Sequence, residues 1–141
     1  MNLNIKKLDP EAKLPEYAHA GDAGMDVFSL ENIELEPGQR QAVCTGVAMH
    51  VPEGHVALVW DKSGRSVKEG LTTMAGVIDS SYRGEVQIVL INLGDKPVRI
   101  EKHQKIAQIL IQPVLSPTLN KVDELDDTTR GAGGFGSTGL K

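Results

Sequence analysis

Residues 85–93 read EVQIVLINL. Beyond Gln87 the stretch is apolar at both odd and even positions and rich in Val and Ile, the pattern of a strand covered on both faces. Its flanks, RG at 83–84 and LGDKP at 93–97, are turn formers, so the run is too short for a helix that could cover a sheet. The same rhythm repeats outward. LNIKKL (3–8), MDVFSL (25–30), QAVCTGVAMHV (41–51), HVALVW (55–60) and KIAQILIQPV (105–114) are separated by turn signals at PG 37–38, PEG 52–54 and KSG 62–64. GRSVKEG (64–70) is the one helical candidate, two turns at most, and no longer stripe of 3.6-residue period exists to shield a sheet. An all-β sandwich or barrel follows.

At 141 residues the chain suits one domain with a real core. From Ser116 the β pattern stops. We expect a core over 1–115, a linker over 116–129 with acids at Asp123, Glu124, Asp126 and Asp127, and a mobile glycine-rich arm over 130–141. Nineteen acidic against fifteen basic residues give a net charge of −4, which argues against a nucleic-acid surface. No apolar run reaches the ~18 residues needed to cross a bilayer, and no secretory signal is visible, so no membrane role and a cytoplasmic location are expected. Cys44 stands alone in VCTGVAM, which excludes an intrachain disulfide and a cysteine zinc cluster and predicts a buried thiol. His19, His50, His55 and His103 show no metal-ligand spacing.

Four stretches carry chemistry. In AGVIDSSYRGEV (75–86), Asp79 follows Val77 and Ile78 and precedes a polar turn, a partly shielded rim position that suits a general base, and Tyr82 could pack beside a sugar. The same residues also suit a plain hairpin in which Asp79 caps a turn. In WDKSGRSVKEG (60–70), Ser63 and Gly64 sit at a strand-to-turn junction beside Lys62, Arg65 and Lys68: a phosphate site, or a turn with solvated cations. In HAGDAGMDVFS (19–29), Asp26 enters a strand and could meet Mg²⁺ through water, or serve as a turn residue. The closing RGAGGFGSTGLK (130–141) contains GAGGFG, which satisfies GxGxxG but follows no strand and opens no helix, so it is no dinucleotide fingerprint. Its glycines allow backbone N–H groups to turn toward an anion, Arg130, Ser137 and Thr138 add donors, and Phe135 offers a flat face. Such an arm could close over a phosphorylated ring compound, or remain a solvated terminus.

Read in order, AGMDV, KSG, GVIDSSYRG, KIAQ and RGAGGFGSTG resemble the five motifs of the trimeric dUTP diphosphatase (dUTPase) family, spanning residues 23–139. The resemblance implies a jelly-roll β fold, a homotrimer with active sites shared between subunits, Mg²⁺, and hydrolysis of dUTP to dUMP and pyrophosphate. It implies Asp79 as the carboxylate that activates water, and Tyr82 against the deoxyribose. The hairpin of Thr73, Met74, Gly76, Val77 and Ile78 would meet the uracil edge with backbone groups. Lys62, Ser63, Gly64 and Gln108 would contact phosphate, and Asp26 would reach Mg²⁺ through water, the ion riding mainly on the triphosphate. Arg130 would pair with the γ-phosphate, Phe135 would stack on uracil, and Gly136, Ser137 and Thr138 would complete the lid.

Three departures stand out. Lys62 replaces a frequent arginine, Arg65 and Ser66 replace Leu and Ala, and Ser81 and the HQK before IAQ differ from the usual pattern. The related dCTP deaminase pattern would place a catalytic glutamate five residues after Gly84, where this chain has Val89. A nucleotide-sensing trimer without catalysis is the alternative of a different class, and it would require neither Asp79 nor an intact arm.

Overall fold

The computed structural model describes residues 1–135 and 137, and Gly136 and Thr138 lie outside them. Eleven strands and one short helix follow in order: β1 (Asn4–Lys7), β2 (Met25–Phe28), β3 (Ile33–Leu35), β4 (Arg40–Cys44), β5 (Val47–His50), β6 (His55–Trp60), α1 (Ser63–Glu69), β7 (Leu71–Met74), β8 (Val77–Ile78), β9 (Gln87–Asn92), β10 (Val98–Ile100) and β11 (Lys105–Pro113). The fold is the expected all-β, jelly-roll-like one. All pairings are antiparallel, in sheets ordered β2-β11-β6-β8 and β4-β9-β7 and in the pairs β1-β5 and β3-β10. Among the described residues no helix is long and apolar enough to cross a membrane.

The run that opened the sequence reading becomes β9, with β4 on one side and β7 on the other. Ile88, Leu90 and Asn92 point into the core and are fully buried, while Val89 and Ile91 are partly covered on the opposite face. Asn92 is the polar exception. Its Nδ2 donates to the carbonyls of Leu35 at 2.9 Å and Lys96 at 2.8 Å, and its Oδ1 accepts from Gly94 N–H at 2.9 Å, so burial leaves no amide atom unpaired. Val27, Leu35, Val43, Val47, Ile106 and Ile109 complete one continuous core.

Three short strands, β3, β7 and β10, escaped the sequence reading because three or four residues give too few alternations to register. KSG is not a turn. It opens α1, with Lys62 at the N-cap and Gly70 closing the helix in the left-handed conformation. The Cys44 thiol is half-buried rather than buried, because the last residue of β4 faces Gln87, whose Nε2 lies 3.5 Å from Sγ. Residues 114–129 form no helix or strand and are exposed.

The four-stranded sheet decides where functional groups can stand. β2 and β8 are its opposite edges, with β11 and β6 between them. Asp26 is level with Gln108 and Trp60, whereas Ile78, just before Asp79, is level with Ala57. Spacings of ~4.8 Å across strands and ~3.4 Å along them separate the two positions by roughly 17 Å.

Replacing Leu90 with Ala removes a fully buried side chain from the central strand, and we expect a loss of about 3 kcal/mol in urea unfolding at unchanged m-value.

Candidate active site

Strand β7 leads into a tight turn at Ala75 and Gly76, and β8 returns from it. Ala75 adopts φ of 61°, a left-handed conformation costing a non-glycine residue about 1 kcal/mol, and Gly76 C=O accepts from Val59 N–H at 2.9 Å, tying the turn to β6. Below it lies a groove of about 280 Å³ whose walls include Val59, Met74, Val77, Asp79, Tyr82 and Val89. Asp79 stands exposed at the mouth. Its carbonyl accepts from Tyr82 N–H at 3.1 Å, closing the turn, and among the described residues nothing hydrogen-bonds its carboxylate. Tyr82 folds back over Gly84, where any Cβ would collide with the ring, and its hydroxyl donates to Glu85 C=O at 3.0 Å. The ring therefore presents one face to the groove.

Thr73 N–H is not available to a base edge, because it donates to Asp61 Oδ1 at 2.7 Å, as does the Thr73 hydroxyl at 2.7 Å.

The second assembly surrounds Asp26, a buried carboxylate on β2. Lys62 Nζ hydrogen-bonds Oδ1, and Lys105 Nζ lies 2.6 Å from Oδ2 as an ion pair without an aligned hydrogen bond. Burial pushes the Asp26 carboxyl up, but Lys105 and Lys62 outweigh it and hold it below the usual carboxylate range. Asp26 in turn raises the Lys105 ammonium. Ser63 and Gly64 occupy the exposed first turn of α1 beside this cluster. Gln108 packs over Gly24, just before β2, where a Cβ would strike its side chain, and its Nε2 donates to Asp61 C=O at 2.8 Å.

Two lysines sharing one carboxylate leave net positive charge at the helix start, which suits a polyanion. The same arrangement does not suit a metal held by the protein. Among the described residues no group of three His, Cys, Asp or Glu could hold one, and both Asp26 oxygens face lysines. A divalent ion here would have to be carried by the ligand's own phosphates.

Arg65, one of the departures, is neither a phosphate ligand nor a solvated cation. Its Nε pairs with Glu69 Oε2 at 2.6 Å, and its guanidinium donates to Lys105 C=O at 3.3 Å and Arg99 C=O at 3.5 Å, bracing α1 against β10 and β11. The described arm residues meet neither assembly: Arg130 Nε donates to Gly133 C=O at 2.8 Å, Ser137 N–H to Gly134 C=O at 3.0 Å, and the Phe135 ring is fully exposed.

Sequence reading missed Lys105 and Asp61. Lys105 had a signal, a cation three residues before Gln108 on the strand that pairs with Asp26. Asp61 had a fainter one, a carboxylate at a strand end with the hydroxyls of Ser66, Thr72 and Thr73 downstream.

Fold and site together define an all-β protein that offers a ring-sized groove with a free carboxylate at one sheet edge and an anion cradle at the other. The dUTPase family model matches residues 10–139. The chain is 47% identical to the deoxyuridine 5'-triphosphate nucleotidohydrolase of Alkaliphilus metalliredigens, over 99% of each, and 48% identical to that of Clostridium acetobutylicum, over 100% of this chain and 99% of the relative. Among solved structures, the Staphylococcus bacteriophage 80alpha dUTPase with dUpNHpp superposes with a TM-score of 0.92 at 35% identity, covering 99% of each chain. A phage phi11 dUTPase, described as coordinating a structural Mg(II) ion, gives 0.84 at 30% identity over 90% of this chain and 100% of its own. The chain belongs to the dUTPase family.

Asp26→Asn should destabilise the protein by about 1–3 kcal/mol at pH 7, less than the ~3–5 kcal/mol of a fully buried pair because both lysines keep some exposure. The folded carboxyl titrates below the ordinary ~3.9, so this stabilisation is complete above about pH 4 and is lost as pH falls through the folded value. Urea midpoints of wild type and variant should accordingly converge in acid.

Proposed function

We propose that the chain hydrolyses dUTP to dUMP and pyrophosphate in a homotrimer whose active sites combine the groove of one copy with the lysine cradle of another. Asp79 takes a proton from a water molecule, the water oxygen attacks the α-phosphorus in line, and the bond from that phosphorus to the bridging oxygen breaks as pyrophosphate leaves. The observation that carries this reading is the exposed, unpaired carboxylate of Asp79 at the mouth of a groove walled by Tyr82.

Tyr82, held flat over Gly84, packs against deoxyribose where a 2′-hydroxyl would need space. The turn after Thr73, with Met74, Gly76, Val77 and Ile78, sets backbone donors and acceptors against uracil. Cytosine reverses that pattern and would leave buried groups unpaired. Lys62, Ser63, Gly64 and Gln108 hold the phosphates, Lys62 as a point charge rather than a bidentate fork. Arg130, Phe135, Gly136, Ser137 and Thr138 close over the nucleotide as a lid formed by residues 130–141, which shields the attacking water. Mg²⁺ would enter on the triphosphate and offset part of its charge.

The roughly 17 Å between Asp26 and the β8 edge supports a shared site, since one nucleotide must touch both assemblies. Val89, where a deaminase would need its acid, lines the groove and supplies no proton chemistry. Such a reaction in the cytoplasm would limit uracil incorporation into DNA and supply dUMP for dTMP synthesis.

Wild type should release pyrophosphate from dUTP in preference to dCTP, dTTP and UTP. Asp79→Asn should lower kcat by about 10³-fold or more with KM nearly unchanged, and ammonia release from dCTP would contradict the reading.

A further inference from the structure

We propose that Asp61 is a positioning residue, which fixes the distance between the base-reading turn and the phosphate cradle of the same chain; this rests on the dUTP-hydrolysing reading above. Asp61 directly follows β6 and is itself no expected ligand contact, yet it is bonded to residues of both assemblies. Its Oδ1 accepts from the N–H and hydroxyl of Thr73, each at 2.7 Å. Its Oδ2 accepts from the Thr72 hydroxyl at 2.6 Å, and the Ser66 hydroxyl, 3.0 Å from Leu71 C=O, lies 3.3 Å from the same oxygen and shares its one proton between them. Its backbone carbonyl accepts from Gln108 Nε2 at 2.8 Å. One residue thus joins β7, the second turn of α1 and β11.

Each tie lies close to a working part. Thr73 is two residues before Ala75, so the anchored N–H and hydroxyl set where the left-handed turn begins. Ser66 is three residues beyond Ser63 on the same short helix, and Lys62, next in sequence to Asp61, holds Asp26. β6 and β7 belong to different sheets, so no ladder hydrogen bonds fix their separation. The carboxylate adds that constraint on the β7 side, while the Val59–Gly76 bond holds the far side of the turn, and its three charge-assisted hydrogen bonds from Thr72 and Thr73 give it direction as well as strength. Burial pushes the Asp61 carboxyl up, but the bonds from Thr72 and Thr73 outweigh this and keep it ionised well into the acid range. Without it, Thr73 N–H is free to compete for solvent or for a base edge, and the turn slides relative to the cradle.

In a shared site the two assemblies of one chain serve two different nucleotides. A shift at Asp61 should therefore weaken both base discrimination and phosphate affinity, a pattern that loss of a single contact does not give.

The test compares wild type, Asp61→Ala, Asp61→Asn and Thr72→Val in steady-state pyrophosphate release from dUTP and dCTP, with inorganic tripolyphosphate as inhibitor and Asp79→Asn as the inactive control. Asp61→Ala should raise KM for dUTP about tenfold, lower the dUTP-to-dCTP ratio of kcat/KM about tenfold, and weaken tripolyphosphate inhibition, since small misplacements cost this much. Asp61→Asn should recover part of each effect, because its carbonyl still accepts from Thr73. Thr72→Val, which removes one hydroxyl and is no ligand contact, should move the ratio in the same direction by a smaller factor; it carries the test should Asp61→Ala not fold. A fall in Tm with KM, the ratio and inhibition all within twofold of wild type would overturn the inference alone. A wild type inert toward dUTP would overturn the functional reading and this inference with it.

Discussion

The constraint on which everything else rests is the order β2-β11-β6-β8. Antiparallel pairing through β11 and β6 fixes the two edges, and the register along β6 offsets them by a further three residues. A carboxylate able to activate water and a cationic cradle able to hold phosphates are thus built rigidly into one chain and kept apart. The core of Ile88, Leu90, Val27 and Ile109 holds this geometry, and the shared site proposed above is the arrangement that brings the two assemblies to one ligand.

The two assemblies use charge in opposite ways. Among the described residues nothing hydrogen-bonds the Asp79 carboxylate, which leaves its lone pairs exposed. Asp26 is buried between two lysines, which prevents those cations from swinging into solvent and leaves them clustered where an anion can compete for them. Asp61 belongs to neither and bonds to both. A family likeness across residues 10–139 identifies the general plan, while these carboxylates give this chain its particular construction.

Much of this plan is legible in the sequence. The two-faced apolar run in β9 and the recurrent turns announce an all-β chain, since the alternation of side chains is a local property. The local setting of Asp79 and Tyr82 is also readable, because the turn that joins them is closed by neighbours within a few residues. What could not be read depends on residues far apart in the chain. The Lys105–Asp26 pair spans the β11–β2 ladder, the Thr73 amide is claimed by a residue twelve positions earlier, and Arg65 turns inward to carbonyls of β10 and β11 rather than outward to phosphate. Asn92 is a polar residue in an otherwise apolar strand, and tertiary contact with Leu35 and Lys96 shows why it is tolerated.

The central claim, that one active site is assembled from two assemblies on separate copies, is tested most directly by complementation. Asp79→Asn chains and Lys62→Ala/Ser63→Ala chains, each nearly inactive alone, are unfolded together, refolded as a mixture and assayed with dUTP. Shared sites predict recovery of about a quarter of wild-type activity, because one in four random pairings joins an intact groove to an intact cradle. Activity no greater than the sum of the two parents would contradict the account.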